Sequence, residues 1–201
     1  MKKNYKSGFI VVIAGPTGVG ESTVTKALIK LYPNAIRLVT TTSRPKRLNE
    51  QNHIDYHFLS KSQFEKNIQA GQFLEWTYIK KRDVYYGTKL ADYTKLLNQG
   101  KMIFFNCDAK GLQAVRKQFP QQNVSFFITY KSINDNRRRL LHREPNITPE
   151  ELNKRIEYAT FEVLHEKKYY DRVIVNYMGK LPETVKKAKT IIDHALKQAN
   201  S

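Results

Sequence analysis

Phe9-Ile10-Val11-Val12-Ile13-Ala14 is an unbroken apolar run that leads straight into glycines. A strand with one wet face would alternate apolar and polar positions. A continuous β-branched run predicts instead a strand buried on both faces, as in the middle of a parallel sheet. From Thr23 to Tyr32 the pattern changes to Val24, Ala27, Leu28 and Leu31, a helical spacing that Pro33 stops. Later apolar runs predict strands over 102–105, 124–128 and 173–175, and helices are predicted over 61–70, 91–98, 112–118, 149–168 and 182–199. Pro149 and Pro182 stand where a first helical turn accepts proline, and Pro120 where a helix must end. The alternation predicts an α/β fold, a parallel sheet with helices on both sides. No internal repeat, low-complexity tract or linker divides the chain.

Composition narrows this only a little. With 40% hydrophobic and 11% aromatic residues among 201, the chain can close a core, which excludes a disordered protein. Nine Gly, seven Pro and one Cys exclude collagen-like and disulfide-stapled classes. The longest apolar run is far shorter than the roughly 20 residues that span a bilayer. The basic start, Met1 to Lys6, is not followed by an apolar stretch with a cleavage site. Cys107 fits a reducing compartment, so a soluble, cytoplasmic protein is expected. Charge changes the picture more. Lys+Arg number 35 against 18 Asp+Glu, a net charge of +17. That suits a phosphate-rich partner, either nucleic acid or small phosphorylated substrates, but also a surface that merely keeps the protein soluble.

Between the first strand and the first helix lies Gly15-Pro16-Thr17-Gly18-Val19-Gly20-Glu21-Ser22, followed by Thr23. Glycines in this context let backbone N–H groups converge on phosphate oxygens at the positive end of a helix. The phosphate-loop pattern G-x-x-x-x-G-K-[ST] is met at Gly15, Gly20 and Ser22, with Glu21 in place of the lysine. That lysine faces the β- and γ-phosphates, and losing one such contact costs on the order of 3 kcal/mol in a transition state. A carboxylate there adds repulsion of roughly 4 kcal/mol per unit charge at 4 Å. Lys26, Lys110 or a lid arginine are the candidates to compensate. Downstream, Arg44 and Arg47 are three residues apart in Ser43-Arg44-Pro45-Lys46-Arg47-Leu48-Asn49-Glu50 and can fork onto one phosphate, unless the loop is simply a solvated basic turn. Glu75, in Phe73-Leu74-Glu75-Trp76, offers a carboxylate to a ring N–H and its neighbouring amino group, the edge that guanine presents. The five histidines show no metal-ligand spacing, so no structural zinc is expected, and Cys107 is read as packing rather than nucleophile.

The ordered set S-R-P-x-R-x-x-E, D-Y-H-F, F-L-E-W, Y-Y-G-T and V-I-V-N resembles guanylate kinases, the nucleoside monophosphate kinases that move a phosphoryl group from ATP to GMP. The resemblance runs from about Phe9 to Ile192. It implies a P-loop parallel sheet with flanking helices, an inserted nucleoside-monophosphate-binding subdomain and a mobile lid. The implied boundaries are a core over 8–36, 99–136 and 157–200, the inserted subdomain over about 37–98, and the lid over about 137–156. By position, Arg44, Arg47, Tyr56 and Tyr86 match residues that hold the GMP phosphate, and Glu50 the acid of the same loop. Thr40, Glu75, Thr88 and Asp108 match those that read guanine. Arg139, Arg143 and Arg155 match the lid arginines that stabilise the transferring phosphoryl group, and Asn176 a residue near the donor adenine. ATP with Mg²⁺ would sit on the loop from Gly15 to Thr23, with the Ser22 hydroxyl on the metal. The chain departs from the family at Glu21, at Asn106, where the L-D-x-D-x-Q-G motif has its first acid, and at Lys110, where that motif has glutamine. Two rival readings remain: a non-catalytic guanylate-kinase-like module that binds a nucleotide or phosphorylated partner, and a nucleic-acid-binding protein. The second lacks a recognition helix, an aromatic RNA motif or a zinc module.

Overall fold

The computed structural model describes residues 8–48 and 50–199; the basic start, Met1 to Lys6, lies outside them. In chain order the strands and helices are β1 (Phe9–Ala14), α1 (Glu21–Ile29), β2 (Ala35–Arg37), β3 (Thr41–Thr42), β4 (His57–Phe58), α2 (Lys61–Gln69), β5 (Phe73–Ile79), β6 (Val84–Lys89), α3 (Leu90–Asn98), β7 (Met102–Asn106), α4 (Ala109–Gln118), β8 (Asn123–Thr129), α5 (Ile133–Arg143), α6 (Pro149–His165), β9 (Arg172–Val175) and α7 (Leu181–Ala199).

The apolar run of β1 lies at the centre of a five-stranded sheet in the order β2-β7-β1-β8-β9. All four pairings are parallel. Its two sets of alternate residues feed two cores, which is why every position had to be apolar. Phe9, Val11 and Ile13 pack with Val24 and Leu28 of α1, Phe104, Phe126, and Ile192 of α7. Ile10, Val12 and Ala14 pack with Tyr93 and Leu97 of α3, Phe105, and Leu112 and Val115 of α4. Burying a side chain such as Leu28 or Phe104 contributes roughly 1.5–3 kcal/mol, so this double-sided layer fixes the positions of the strand ends from which the site is built.

The second sheet, β4-β3-β6-β5, is mixed, with β3 parallel to β4 and antiparallel to β6. Its strands were not predicted, because β3 and β4 are two residues long and show no period. β5 and β6 form an antiparallel pair with a bulge: Phe73 faces Lys89 and Glu75 faces Thr88, leaving Leu74 as the extra residue. The bulge separates neighbours that alternation would place on one face. Phe73 stacks on Phe64 of α2, ring centroids 4.2 Å apart. Glu75 turns to the opposite face with Thr77, Tyr86 and Thr88.

The boundaries also differ. The helix expected from 112 begins at Ala109, because Asp108 caps it and accepts the Gly111 N–H at 2.9 Å. The first helix starts at Glu21, directly after the loop, and ends at Ile29. The helix expected over 149–168 closes at His165 and gives way to a short 3-10 turn. The Arg-rich segment after Tyr130 forms the full helix α5, which packs on α6 through Leu140, Leu152 and Ile156.

Candidate active site

β1 delivers its chain end onto the loop, and α1 opens from it. Gly18 (φ 84°) and Gly20 (φ 91°) adopt the left-handed backbone that side chains avoid. A Cβ on Gly20 would also lie 3.0 Å from Nδ2 of Asn176. The turn is closed by the Val19 N–H donating to the Pro16 carbonyl at 3.1 Å. Ser22 and Thr23 are exposed in the first turn of α1. A strand, a glycine loop and a helix N-terminus in this arrangement form a cradle of backbone N–H groups for anions.

Two neighbours fix the loop from behind. Asn176, expected beside the donor base, is buried and has both ends of its amide engaged. Its Nδ2 donates to the Val19 carbonyl at 2.8 Å, and its Oδ1 accepts from the Thr184 hydroxyl of α7 at 2.9 Å. Arg139, on α5, donates to the Asn176 carbonyl at 2.7 Å and to the Val19 carbonyl at 3.5 Å. Its Nε is buried without a partner, and burial holds the guanidinium below its ordinary value. Arg143 and Arg155 do not join it. They meet at the Glu144 carboxylate, at 2.7 and 2.8 Å, and pull that acid down to about 2.

Glu21 is half-buried at the mouth of the loop. Burial pushes its carboxyl up to about 7; the facing Asn106 amide and the charge of Arg37 oppose that rise, and Glu162 adds to it. Asn106 itself is held by the Ile13 carbonyl and the Thr25 hydroxyl, at 3.3 and 3.1 Å. Glu162, on α6, is also pushed up to about 7, first by burial and then by Glu166, although it accepts the Thr17 backbone N–H. Both carboxyls are therefore easier to keep neutral folded than unfolded. This contributes stability that is fully present near pH 4.5 and is lost as pH rises through about 7. We expect the melting temperature to fall by roughly 4 °C between pH 5.5 and 8, and Glu21→Gln to remove part of that fall. Thermal unfolding monitored across that pH range checks it; an identical slope in the variant would remove Glu21 as the cause.

Across the sheet ends lies a cleft of about 270 Å³ between the two sheets. Glu75, Tyr56 and Tyr86 line it from the second sheet, and Asn106, Asp108 and Arg37 from the ends of β7 and β2. Burial pushes the Glu75 carboxyl up, against the pull of the facing Thr88 hydroxyl. The hydroxyls of Thr41 and Thr88 are buried without a partner of ordinary hydrogen-bond geometry, and unpaired buried polar atoms are costly unless a ligand or water meets them. Thr40 and Asp108 also line the cleft, with the Lys110 Nζ 5.8 Å from the Trp76 ring centroid. At the outer end, the Arg44 guanidinium lies 5.0 Å from the Tyr56 ring centroid and forks onto Glu50, with Nη1–Oε2 at 2.6 Å. Glu50 also accepts the Arg47 backbone N–H at 2.9 Å and is pulled down to about 2, chiefly by Arg44. The Arg47 residue is exposed. Cys107 is not reactive here: burial pushes its thiol well above the ordinary range. Among the described residues, no group of three or more His, Cys, Asp or Glu is placed to hold a metal ion, and no helix is long and apolar enough to cross a membrane.

A parallel sheet whose first strand ends in a phosphate cradle, with a second cleft facing it across the sheet ends, defines a P-loop protein of the phosphotransferase class. The family model described as guanylate kinase matches residues 7–195. Guanylate kinase from Campylobacter jejuni (strain RM1221) is 35% identical over 170 residues, 84% of this chain and 81% of that relative. The Sulfurimonas denitrificans guanylate kinase is 33% identical over 192 residues, 96% and 90% of the two chains. The crystal structure of guanylate kinase from Anaplasma phagocytophilum superposes with a TM-score of 0.70, at 24% identity, over 98% of this chain and 88% of that one. The chain belongs to the guanylate kinase family, P-loop kinases that use ATP to phosphorylate GMP.

Proposed function

We propose that this chain transfers the γ-phosphoryl group of ATP·Mg²⁺ to GMP and that it does so with Glu21 in place. The observation that carries the reading is the pair of sites at the sheet ends: a phosphate cradle on one side, and on the other a cleft lined by Thr40, Glu75, Asp108 and two tyrosines, one of which, Tyr56, lies beside the forked Arg44.

The donor phosphates would lie on the N–H groups of the loop from Gly15 to Thr23, with the Ser22 hydroxyl, exposed at the start of α1, among the oxygens around the nucleotide's Mg²⁺. The metal arrives with ATP, where it neutralises charge on the β- and γ-oxygens. Glu75 and Asp108 would accept hydrogen bonds from the guanine edge, with Thr40 and Thr88 supplying hydroxyls. Arg44, Arg47, Tyr56 and Tyr86 would hold the acceptor phosphate. Arg44 has five N–H donors; Nη1 and Nη2 engage Glu50 and the Pro45 carbonyl, leaving Nε–H and the second Nη2–H for a phosphate. Arg139 stands on the loop, and Arg143 and Arg155 await release from Glu144 as the lid, about 137–156, closes on the core. The inserted subdomain, about 37–98, carries the acceptor site. Holding both nucleotides in line supplies most of the rate, since little covalent work falls to the protein.

The test is ADP release by the unaltered chain with GMP, AMP, UMP or CMP as acceptor. Turnover is expected with GMP and, for the others, about 100-fold lower kcat/KM, because buried polar groups left unpaired reject a mismatched base. GMP binding without turnover, in this chain and in Glu21→Lys alike, would make it a non-catalytic binding module. Salt-sensitive binding to random DNA or RNA that nucleotides do not compete away would favour the nucleic-acid reading.

A further inference from the structure

A phosphate loop with a carboxylate at position 21 needs its missing positive charge from elsewhere, and four cationic side chains come into question. Lys26 lies on the last turn of α1, about 7 Å further along the helix axis and on another face, away from the loop mouth. Lys110 is engaged elsewhere: its ammonium sits over the Trp76 ring and its charge acts on Glu75. Arg139 engages the Val19 and Asn176 carbonyls through Nη1 and Nη2, and its unpartnered Nε matches the family's own lid contact, which accompanies a loop lysine rather than replacing it.

Arg37 is placed differently. It is the last residue of β2, which pairs in parallel with β7, so it stands beside the strand that ends in Asn106. It lines the same cleft as Asn106 and Asp108. Among the described residues its guanidinium makes no hydrogen bond or ion pair. We propose that the Arg37 guanidinium supplies the positive charge for the transferring phosphoryl group that the loop lacks at Glu21.

The charge count across the floor of the site supports this. Lysine at 21 with an acid at 106, the arrangement the family motif leads one to expect, sums to zero. Over the same two positions Glu21, when ionised, and neutral Asn106 sum to −1, and Arg37 at the neighbouring strand end supplies the compensating charge. Glu21 then draws the guanidinium toward the loop mouth; Arg37 is the cation whose charge opposes the upward shift of that carboxyl. An exposed guanidinium lining this cleft can donate in a planar fork to a γ-phosphate oxygen and to the acceptor phosphate, which a compact ammonium cannot do. No bond to Arg37 forms or breaks; it stabilises charge on oxygens already present.

The inference rests on the proposed kinase reading, so its test has a kinetic arm and a binding arm. Arg37→Ala is made in the unaltered chain and in Glu21→Lys, and kcat/KM for ATP is measured at saturating GMP. We expect a loss of about 10–100-fold in the unaltered chain and less than about 3-fold in Glu21→Lys, with Arg37→Lys retaining part of the activity. Calorimetry with the Mg²⁺ complex of a non-hydrolysable ATP analogue should show the same contrast in affinity. Equal losses in both backgrounds would mean a structural role and would overturn the proposal. So would no loss in the unaltered chain, or an unaltered chain that is silent while Glu21→Lys turns over with Arg37 intact. If neither background phosphorylates GMP, the kinase reading fails on its own, and the analogue-binding cycle alone decides on Arg37.

Discussion

Arg139→Ala should lower kcat for GMP phosphorylation by about 10³-fold or more, the range that arginines facing a transferring phosphoryl group supply. The argument begins with where the side chain is held. α5 brings Arg139 over the loop, where its Nη2 donates to the Asn176 carbonyl and its Nε is buried and unpaired. A buried cation with an unused donor is costly in the empty protein and is repaid when an anion arrives on the adjacent cradle. The KM for ATP should change by far less than kcat, since the interaction strengthens as charge develops on the phosphoryl oxygens. Arg139→Lys should recover little, because an ammonium cannot hold the loop carbonyl and bridge to a phosphate at once. Steady-state kinetics beside a melting curve separate the alternatives. A drop in melting temperature with kcat unchanged would make Arg139 only a strut for the loop.

Arg44→Ala should cost about 10²–10³-fold in kcat/KM for GMP, mostly through KM. Two charge-assisted hydrogen bonds at roughly 1.5–3 kcal/mol each, with 1.4 kcal/mol per tenfold, give that range after part of the loss is offset by water. Glu50 is the reason the arginine is ready. It grips the far side of the fork and is itself fixed by the Arg47 N–H, so the free donors keep one direction before the ligand binds. Glu50→Gln should therefore weaken GMP by a smaller factor, about 10-fold, without touching ATP. Kinetics with GMP varied at saturating ATP read both. Equal losses for the two nucleotides would show a general collapse of the subdomain rather than an acceptor contact.

The central half of this architecture was readable from the chain. A six-residue β-branched run with no polar gaps, ending in glycines, reads as a doubly buried strand, and the glycine loop after it marked the start of α1 to within two residues. The order of motifs was enough to assign the family. The second sheet was not readable: Thr41–Thr42 and His57–Phe58 are too short to show a period, and they become strands only by pairing with β6 and with each other. α5 escaped because its buried apolar contact is essentially Leu140, set among arginines. Asn176 carried a familiar motif position, yet only the fold reveals that both ends of its amide are engaged by Val19 and Thr184. Arg37 gave no signal. It pairs with Phe104 and shares the cleft with Asn106 because β2 is hydrogen-bonded to β7, a partner distant in the sequence that no local pattern encodes.

The bulge at Leu74 makes the choice of base a matter of counting. Phe73 must face α2, where it stacks on Phe64, and Glu75 must face the cleft, two residues later on the opposite side. A regular strand through Leu74, without the bulge, would leave the aromatic anchor in place and rotate the carboxylate out of the cleft, although no side chain had changed; deleting Leu74 would instead keep Glu75 opposite Thr88. On the proposed reading, guanine is recognised by the bulge in this strand as much as by its acid. The acceptor site could therefore lose its preference through any change that straightens this strand and leaves every base-reading residue present.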